Sequence, residues 1–153
     1  PEPDVLCMLK DHLIRSAVGD KHFDDPYLLN VIRAMRERVT FVKDFIEKSP
    51  YFFQSPKEYD PVDVKKRWKP ESSKYLKTLG EEFAALATPT KEEYESALHH
   101  TAQTLKIKNG DLIHPLRLAV SGMGAGPGLY DILFILGKDE TIRRIISAIE
   151  ILY

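Results

Sequence analysis

An all-α fold of two packed helical subdomains is predicted by three observations. Apolar residues recur at intervals of three and four along most of the chain, capping residues stand at the ends of those runs, and no segment sustains an alternation of period two between turn signals. The opening Pro1-Glu2-Pro3-Asp4 is acidic, lacks an initiator Met and reads as structure-breaking, which suggests a processed or trimmed chain without a signal peptide. Leu28, Val31, Ile32, Met35, Val39, Val42 and Ile46 then draw one face of a long or once-bent helix. Pro50, Pro56 and Pro61 surround Tyr51-Phe52-Phe53, an ordered connector that divides the chain into subdomains 1–49 and 50–153. Asp60 places a capping carboxylate before Pro61 at a first helical position. Thr90 and Glu93 form a capping box after the Thr88-Pro89 break, opening a helix marked by Tyr94, Ala97, Leu98, Thr101, Ala102 and Leu105. Asn109-Gly110 is expected to end that helix, and Gly137 to end another before Lys138-Asp139-Glu140 opens the last. Ile142, Ile145, Ile146, Ile149 and Leu152 carry the apolar face of that final helix.

The bulk properties narrow the function classes. With 153 residues, 43% hydrophobic and 29% charged, the chain has an ordinary globular composition rather than a disordered one. Its longest apolar run, Leu129–Leu136, is interrupted by Asp131 and falls short of the roughly 18–20 residues that span a bilayer, so no membrane partner is expected. The single cysteine, Cys7, allows no intrachain disulfide and fits a reducing cytoplasm. A net charge of −1 means that any nucleic-acid site must be a local patch.

Metal and covalent chemistry find little support. His99 and His100 are adjacent, so on a helix their side chains diverge by about 100°. His12, His22 and His114 have no Cys or His partner at ligand spacing. Ser16, Ser96 and Ser121 lack a nucleophile-elbow context, and no base is recognisable near Cys7. No catalytic residue and no metal ligand is therefore assigned.

The glycine-rich segment 122–128 precedes an apolar helix. It is not a Walker loop, because no Lys-Ser or Lys-Thr follows, and no strand precedes it as a dinucleotide fingerprint requires. It is either a flexible turn or a place where small residues admit another backbone or a base. In the second reading Pro127 starts a helix whose free N–H groups favour an anion. Arg33, Arg36, Arg38 and Lys43 are expected to line the first long helix away from its apolar face, and Arg117 lies just upstream of the glycine loop. Lys65-Lys66-Arg67-Trp68-Lys69 is a second basic run with an interleaved aromatic. Such runs are usually solvated surface. Yet arginine can donate two hydrogen bonds to a base edge and stack on its face, and Tyr130 beside the loop offers a stacking plane, as single-stranded RNA recognition requires.

Order and spacing add a further signal. His114-Pro115-Leu116-Arg117, Ser121-Gly122, Gly126-Pro127-Gly128-Leu129-Tyr130-Asp131 and Leu136-Gly137-Lys138 together resemble the ending of bacterial glutamyl-tRNA synthetases. Met35-Arg36-Glu37-Arg38, Lys43-Asp44-Phe45 and Tyr51-Phe52-Phe53 look like that family's preceding helices, whereas residues 54–87 match weakly. The resemblance implies a helical anticodon-binding region, cut from a catalytic domain that uses ATP and Mg to attach glutamate to tRNA(Glu). The catalytic signatures of that domain are absent here, so this chain is expected to bind tRNA without cofactor and without activating glutamate.

The same resemblance implies roles for particular residues. Arg117 takes the place of an anticodon-contacting arginine, and Gly126, Pro127, Gly128, Leu129 and Tyr130 fall where the family's loop packs around splayed bases. Gly126 replaces a residue that is often polar, which leaves only backbone contacts there. Arg38 aligns with the arginine that distinguishes the third anticodon base C from the G of glutamine tRNA. Cytosine presents acceptors at O2 and N3 that suit an arginine fork, whereas guanine presents N–H donors on that edge. Arg33, Arg36 and Lys43 are expected to add sequence-blind attraction to the RNA backbone. A cytoplasmic monomer with RNA rather than DNA as partner follows. The main alternative is a helical protein–protein interaction module of a cytoplasmic assembly, which would not explain why these short motifs occur together at these intervals. A nucleotide-binding regulatory domain would need a strand and a phosphate-binding lysine that the sequence lacks.

Overall fold

The computed structural model describes residues 2–16 and 23–152. Among them are nine α-helices, one 3-10 turn and no strand. The chain divides into two compact units, Pro1–Ser55 and Pro56–Tyr153. Tyr51, Phe52 and Phe53 of the connector are buried core residues.

In the first unit α1 (Glu2–Ser16) packs against α2 (Asp25–Met35), and α2 against α3 (Asp44–Lys48). The opening does not break structure. Pro3 sits in the first turn of α1, where its missing N–H costs no helical bond, and Glu2 and Asp4 complement the positive end of the helix dipole. Pro1 and His22 lie outside the described residues. Asp24 caps α2 by accepting the Tyr27 N–H at 2.9 Å. The long or once-bent helix expected over 28–46 is instead two helices: α2 stops at Met35, and a turn leads to the short α3. The apolar period survives the break because the turn returns Phe45 and Ile46 to the core beside Leu28, Val31, Ile32 and Met35. A 3-10 turn, Pro50–Phe52, follows. The Tyr27 hydroxyl donates to the Phe52 carbonyl, and Phe23 stacks on Tyr27 and meets Phe53 edge-on at 5.5 Å.

The second unit holds α4 (Pro61–Arg67), α5 (Ser72–Ala84), α6 (Lys91–Leu105), α7 (Gly110–Ser121), α8 (Leu129–Leu136) and α9 (Lys138–Leu152). α5 is central and packs on α6, α7 and α9, while α8 lies against α6 and α9. Leu76, Leu79, Phe83, Tyr94, Leu98, Leu112, Leu116, Ile132, Leu133 and Ile145 are fully or almost fully buried and form its core. The Asp60 cap and the reciprocal Thr90–Glu93 capping box are both present. Gly137 ends α8 at φ 84°, and Lys138 opens α9 directly. Asn109-Gly110 does not end a helix: α6 stops at Leu105 with Lys106 in the left-handed conformation, φ 59°, and Gly110 starts α7. Arg144 is buried in the unit, held by Glu140 at 2.8 Å and donating to the Val120 carbonyl at 2.7 Å.

Candidate nucleic-acid interface

The basic residues of the first unit gather on one open groove of about 650 Å3, lined by Arg33, Ala34, Arg36, Glu37 and Arg38. Only Arg33 lies within α2. Arg36 is its C-cap, Arg38 occupies the turn that follows, and Lys43 stands just before α3, so these residues do not line one continuous helix as their spacing implied. Glu2 reaches Arg33 at 2.9 Å and Arg36 at 4.0 Å. Arg38 is exposed and has no ion pair among the described residues.

The turn that carries Arg38 is fixed by α3. The Asp44 carboxylate accepts the N–H groups of Phe41 and Thr40, each at 3.0 Å, and Lys48 donates to the Arg38 carbonyl at 3.2 Å. Those two backbone donors, first Phe41 and then Thr40, hold the Asp44 carboxyl below the usual aspartate range. Asp44 was legible as part of a familiar segment but not as the organiser of this turn. An acid three or four residues after two unpaired N–H groups was the available signal.

In the second unit the segment 122–128 joins α7 to α8, and two of its glycines have specific causes. Gly122 ends α7 at φ 77°, and a Cβ there would meet the Glu58 carbonyl at 2.8 Å. A Cβ on Gly124 would meet the Asp63 carboxylate at 2.7 Å. The close approach admitted by these small residues is therefore made by the chain's own segment 56–63. Asp60 N–H donates to the Gly122 carbonyl, and Gly124 N–H to Asp63, both at 2.8 Å. Such contacts make the loop ordered rather than a flexible turn.

Arg117 spans the loop from the other side, its Nη1 donating to the Pro127 carbonyl at 2.8 Å. Ser121 steadies the same turn by donating to the Arg117 carbonyl at 2.7 Å. Pro127 is buried and does not start the next helix. Gly128 caps it and Leu129 begins it. The anion expected at that helix end finds the place taken, since Asp131 occupies the first turn and pairs with Lys91 at 2.6 Å. Leu129 is buried, Gly126 is half-buried and Gly128 is exposed. Tyr130 is half-buried with its hydroxyl enclosed, and burial, aided by Glu95, pushes the phenol pKa up. Arg117 and Pro127 are thus brought into direct contact, with Gly126 and Gly128 flanking them and Leu129 and Tyr130 turned partly into the core.

α4 joins this neighbourhood without having been assigned to it. It packs on α7, and its cap Asp60 and its own Asp63 make the two bonds to the glycine loop. His114 on α7 is held below the usual imidazole range by burial, then by Arg67 and Arg117, with Lys66 adding to this and Asp111 opposing it. Among the described residues no three His, Cys, Asp or Glu side chains gather to hold a metal ion, and no helix is long and apolar enough to cross a membrane.

A helical chain with an arginine groove and an arginine-braced Pro-Gly loop matches a known family over most of its length: residues 4–149 fit the anticodon binding domain. The chain belongs to that family. Its similarity to glutamate–tRNA ligases is 44% identity over 82% of the chain for the enzyme of Chlorobium chlorochromatii and 41% over 86% for that of Chloroherpeton thalassium. Among solved structures, a glutamate tRNA ligase from Elizabethkingia meningosepticum, in complex with its amino acid, superimposes with a TM-score of 0.91 at 33% identity over 99% of this chain. A glutamate-tRNA synthetase from Elizabethkingia anophelis does so with a TM-score of 0.83 at 32% identity over 97% of it. The chain spans 25–26% of the length of those two Chlorobium and Chloroherpeton relatives, and 30% and 28% of the two solved chains. The anticodon-binding region of a glutamate–tRNA ligase is what such partial coverage describes, and the all-α architecture agrees with it.

Proposed function

We propose that this anticodon-binding region reads the anticodon loop of tRNA(Glu) as the C-terminal part of a glutamate–tRNA ligase. The parent chain would attach glutamate to that tRNA in the cytoplasm, with ATP and Mg used by a separate catalytic domain. The part described by these residues acts as a monomer, takes no cofactor, binds neither DNA nor membrane, and does not activate glutamate alone. The observation that carries the reading is the Arg117–Pro127 brace within a chain that matches the anticodon binding domain over 4–149. A loop shaped by its own hydrogen bonds presents backbone groups at fixed positions, and unstacked bases of a single-stranded loop are recognised against such groups. Gly126, Pro127, Gly128, Leu129 and Tyr130 contribute backbone groups to that contact and Tyr130 its half-exposed ring, with Arg117 at its edge.

Arg38 is the proposed discriminator. It is exposed, projects from a turn fixed by Asp44 and Lys48, and shares its groove with Arg33 and Arg36. A guanidinium fork can donate to O2 and N3 of cytosine and meets donors on guanine. Arg33, Arg36 and Lys43 supply salt-dependent attraction to phosphates. The test is fluorescence anisotropy of a labelled anticodon stem-loop, comparing anticodon UUC with UUG. UUC is expected to bind about tenfold to a hundredfold more tightly, and Arg38→Gln to erase the difference, a loss of about 1–3 kcal/mol. Equal binding of both loops by the unsubstituted chain would remove Arg38 from this role. Absence of binding at low salt would overturn the reading for this chain.

A further inference from the structure

The basic run at the end of α4 remains outside the roles assigned so far, and its placement gives it one. Asp63 faces the glycine loop, because its carboxylate accepts the Gly124 N–H at 2.8 Å. On a helix the residues three and four further along share that face, and these are Lys66 and Arg67; Lys65, two residues on, does not. The electrostatics of His114 agree, since Arg67 and Lys66 both act on it across the α4–α7 contact. Among the described residues neither Lys66 nor Arg67 has an ion-pair partner. Two cations therefore face α7 beside Arg117 and an imidazole, with Asp111 opposing them and Asp63, one turn back on the same face, engaged by the Gly124 N–H.

Like charges gathered in this way repel one another, and an anion placed among them relieves the repulsion. We propose that Lys66 and Arg67 of α4, opposite His114 and Arg117 of α7, form a binding site for a backbone phosphate of the RNA beside the glycine-rich loop. The proposal rests on the anticodon-binding reading above. The ligand chemistry is that of a phosphodiester in a single-stranded or loop segment. A site of this kind positions the RNA without reading its sequence. Arg67 is half-buried and supplies a planar donor fork, while Lys66 is exposed and supplies a point charge.

The experiment measures anisotropy of the UUC and UUG stem-loops across a salt series with the unsubstituted chain, with Lys66→Ala/Arg67→Ala, and with Lys65→Ala as control. The double variant should bind both loops about tenfold more weakly and leave their ratio unchanged, with a salt slope shallower by about 0.7–0.9 for the one phosphate. Lys65→Ala should stay within about twofold of the unsubstituted chain. Unchanged binding by the double variant, or an equal loss with Lys65→Ala, would overturn the phosphate site while leaving the anticodon reading standing. A loss confined to one loop would also overturn it, since that is base recognition. Failure of the unsubstituted chain to bind either loop would overturn the anticodon reading itself. An RNA-free check uses NMR titration of the His114 imidazole. Its pKa should rise in the double variant, because two of the cations that depress it are gone, and an unmoved titration would separate α4 from this cluster.

Discussion

The two basic regions are built by opposite means. In the first unit, Arg38 sits on a turn whose bonds all come from residues within ten positions along the chain: Asp44 to Thr40 and Phe41, and Lys48 to Arg38 itself. In the second, the glycine loop is held by Asp63, 61 residues away from Gly124, as well as by Arg117 ten residues from Pro127. The first region leaves its side chains in solvent, and the second packs its backbone tightly and offers little side chain. A site made of exposed side chains can be altered with little effect on folding, whereas a site made of packed backbone cannot.

The largest expected effect comes from Gly122→Ala. The new Cβ would stand 2.8 Å from the Glu58 carbonyl on a backbone at φ 77°, and the second unit should lose about 2 kcal/mol or more in urea unfolding. Retained stability would mean that segment 56–63 is free to move away, and the contrast between the regions would collapse. Asp63→Ala should cost less, about 1–2 kcal/mol, by leaving the Gly124 N–H without its acceptor. Amide exchange at Gly124 should quicken in that variant, and unchanged exchange would deny the clamp.

Acid should loosen the turn of the first region. The Asp44 carboxyl is depressed by its two backbone donors, so its contribution is fully present above the ordinary aspartate value of about 3.9 and is lost as pH falls through its lower folded value. NMR should show the Thr40 and Phe41 amides losing protection as pH falls below about 4. Protection that persists well below that pH would deny Asp44 its part in the turn. The smallest effect is expected from Arg38→Gln, within about 0.5 kcal/mol of the parent in thermal unfolding, because the side chain is exposed and unpaired among the described residues.

The same contrast explains what could be foreseen from sequence. Helix starts at Pro61 and Lys91, and the stop at Gly137, were legible because Asp60, Thr90 with Glu93, and glycine act on atoms within a few residues. The break between α2 and α3 was not, because Val39, Val42 and Ile46 keep a helical interval even though the turn interrupts it. The end of α6 was hidden for a different reason: Lys106 adopts the left-handed conformation that glycine usually marks, while the nearby Asn109-Gly110 opens the next helix. In the candidate site, Arg38 and Arg117 were visible through the motifs around them. The approach of α4 was invisible, since nothing local in Lys65-Lys66-Arg67 records that Asp63 bonds to a glycine far along the chain.

The clamp on that glycine also bears on how a ligand would be met. Gly124 and Gly122 are the residues with most conformational freedom to lose, and in this fold they lose it to Asp63 and Asp60 before any partner arrives. An RNA loop docking here need not order the protein at the moment of encounter, so its association carries a smaller entropic penalty. The mobile partner in that event is the nucleic acid, and the temperature dependence of binding should report the unstacking of its bases rather than any rearrangement of residues 122–128.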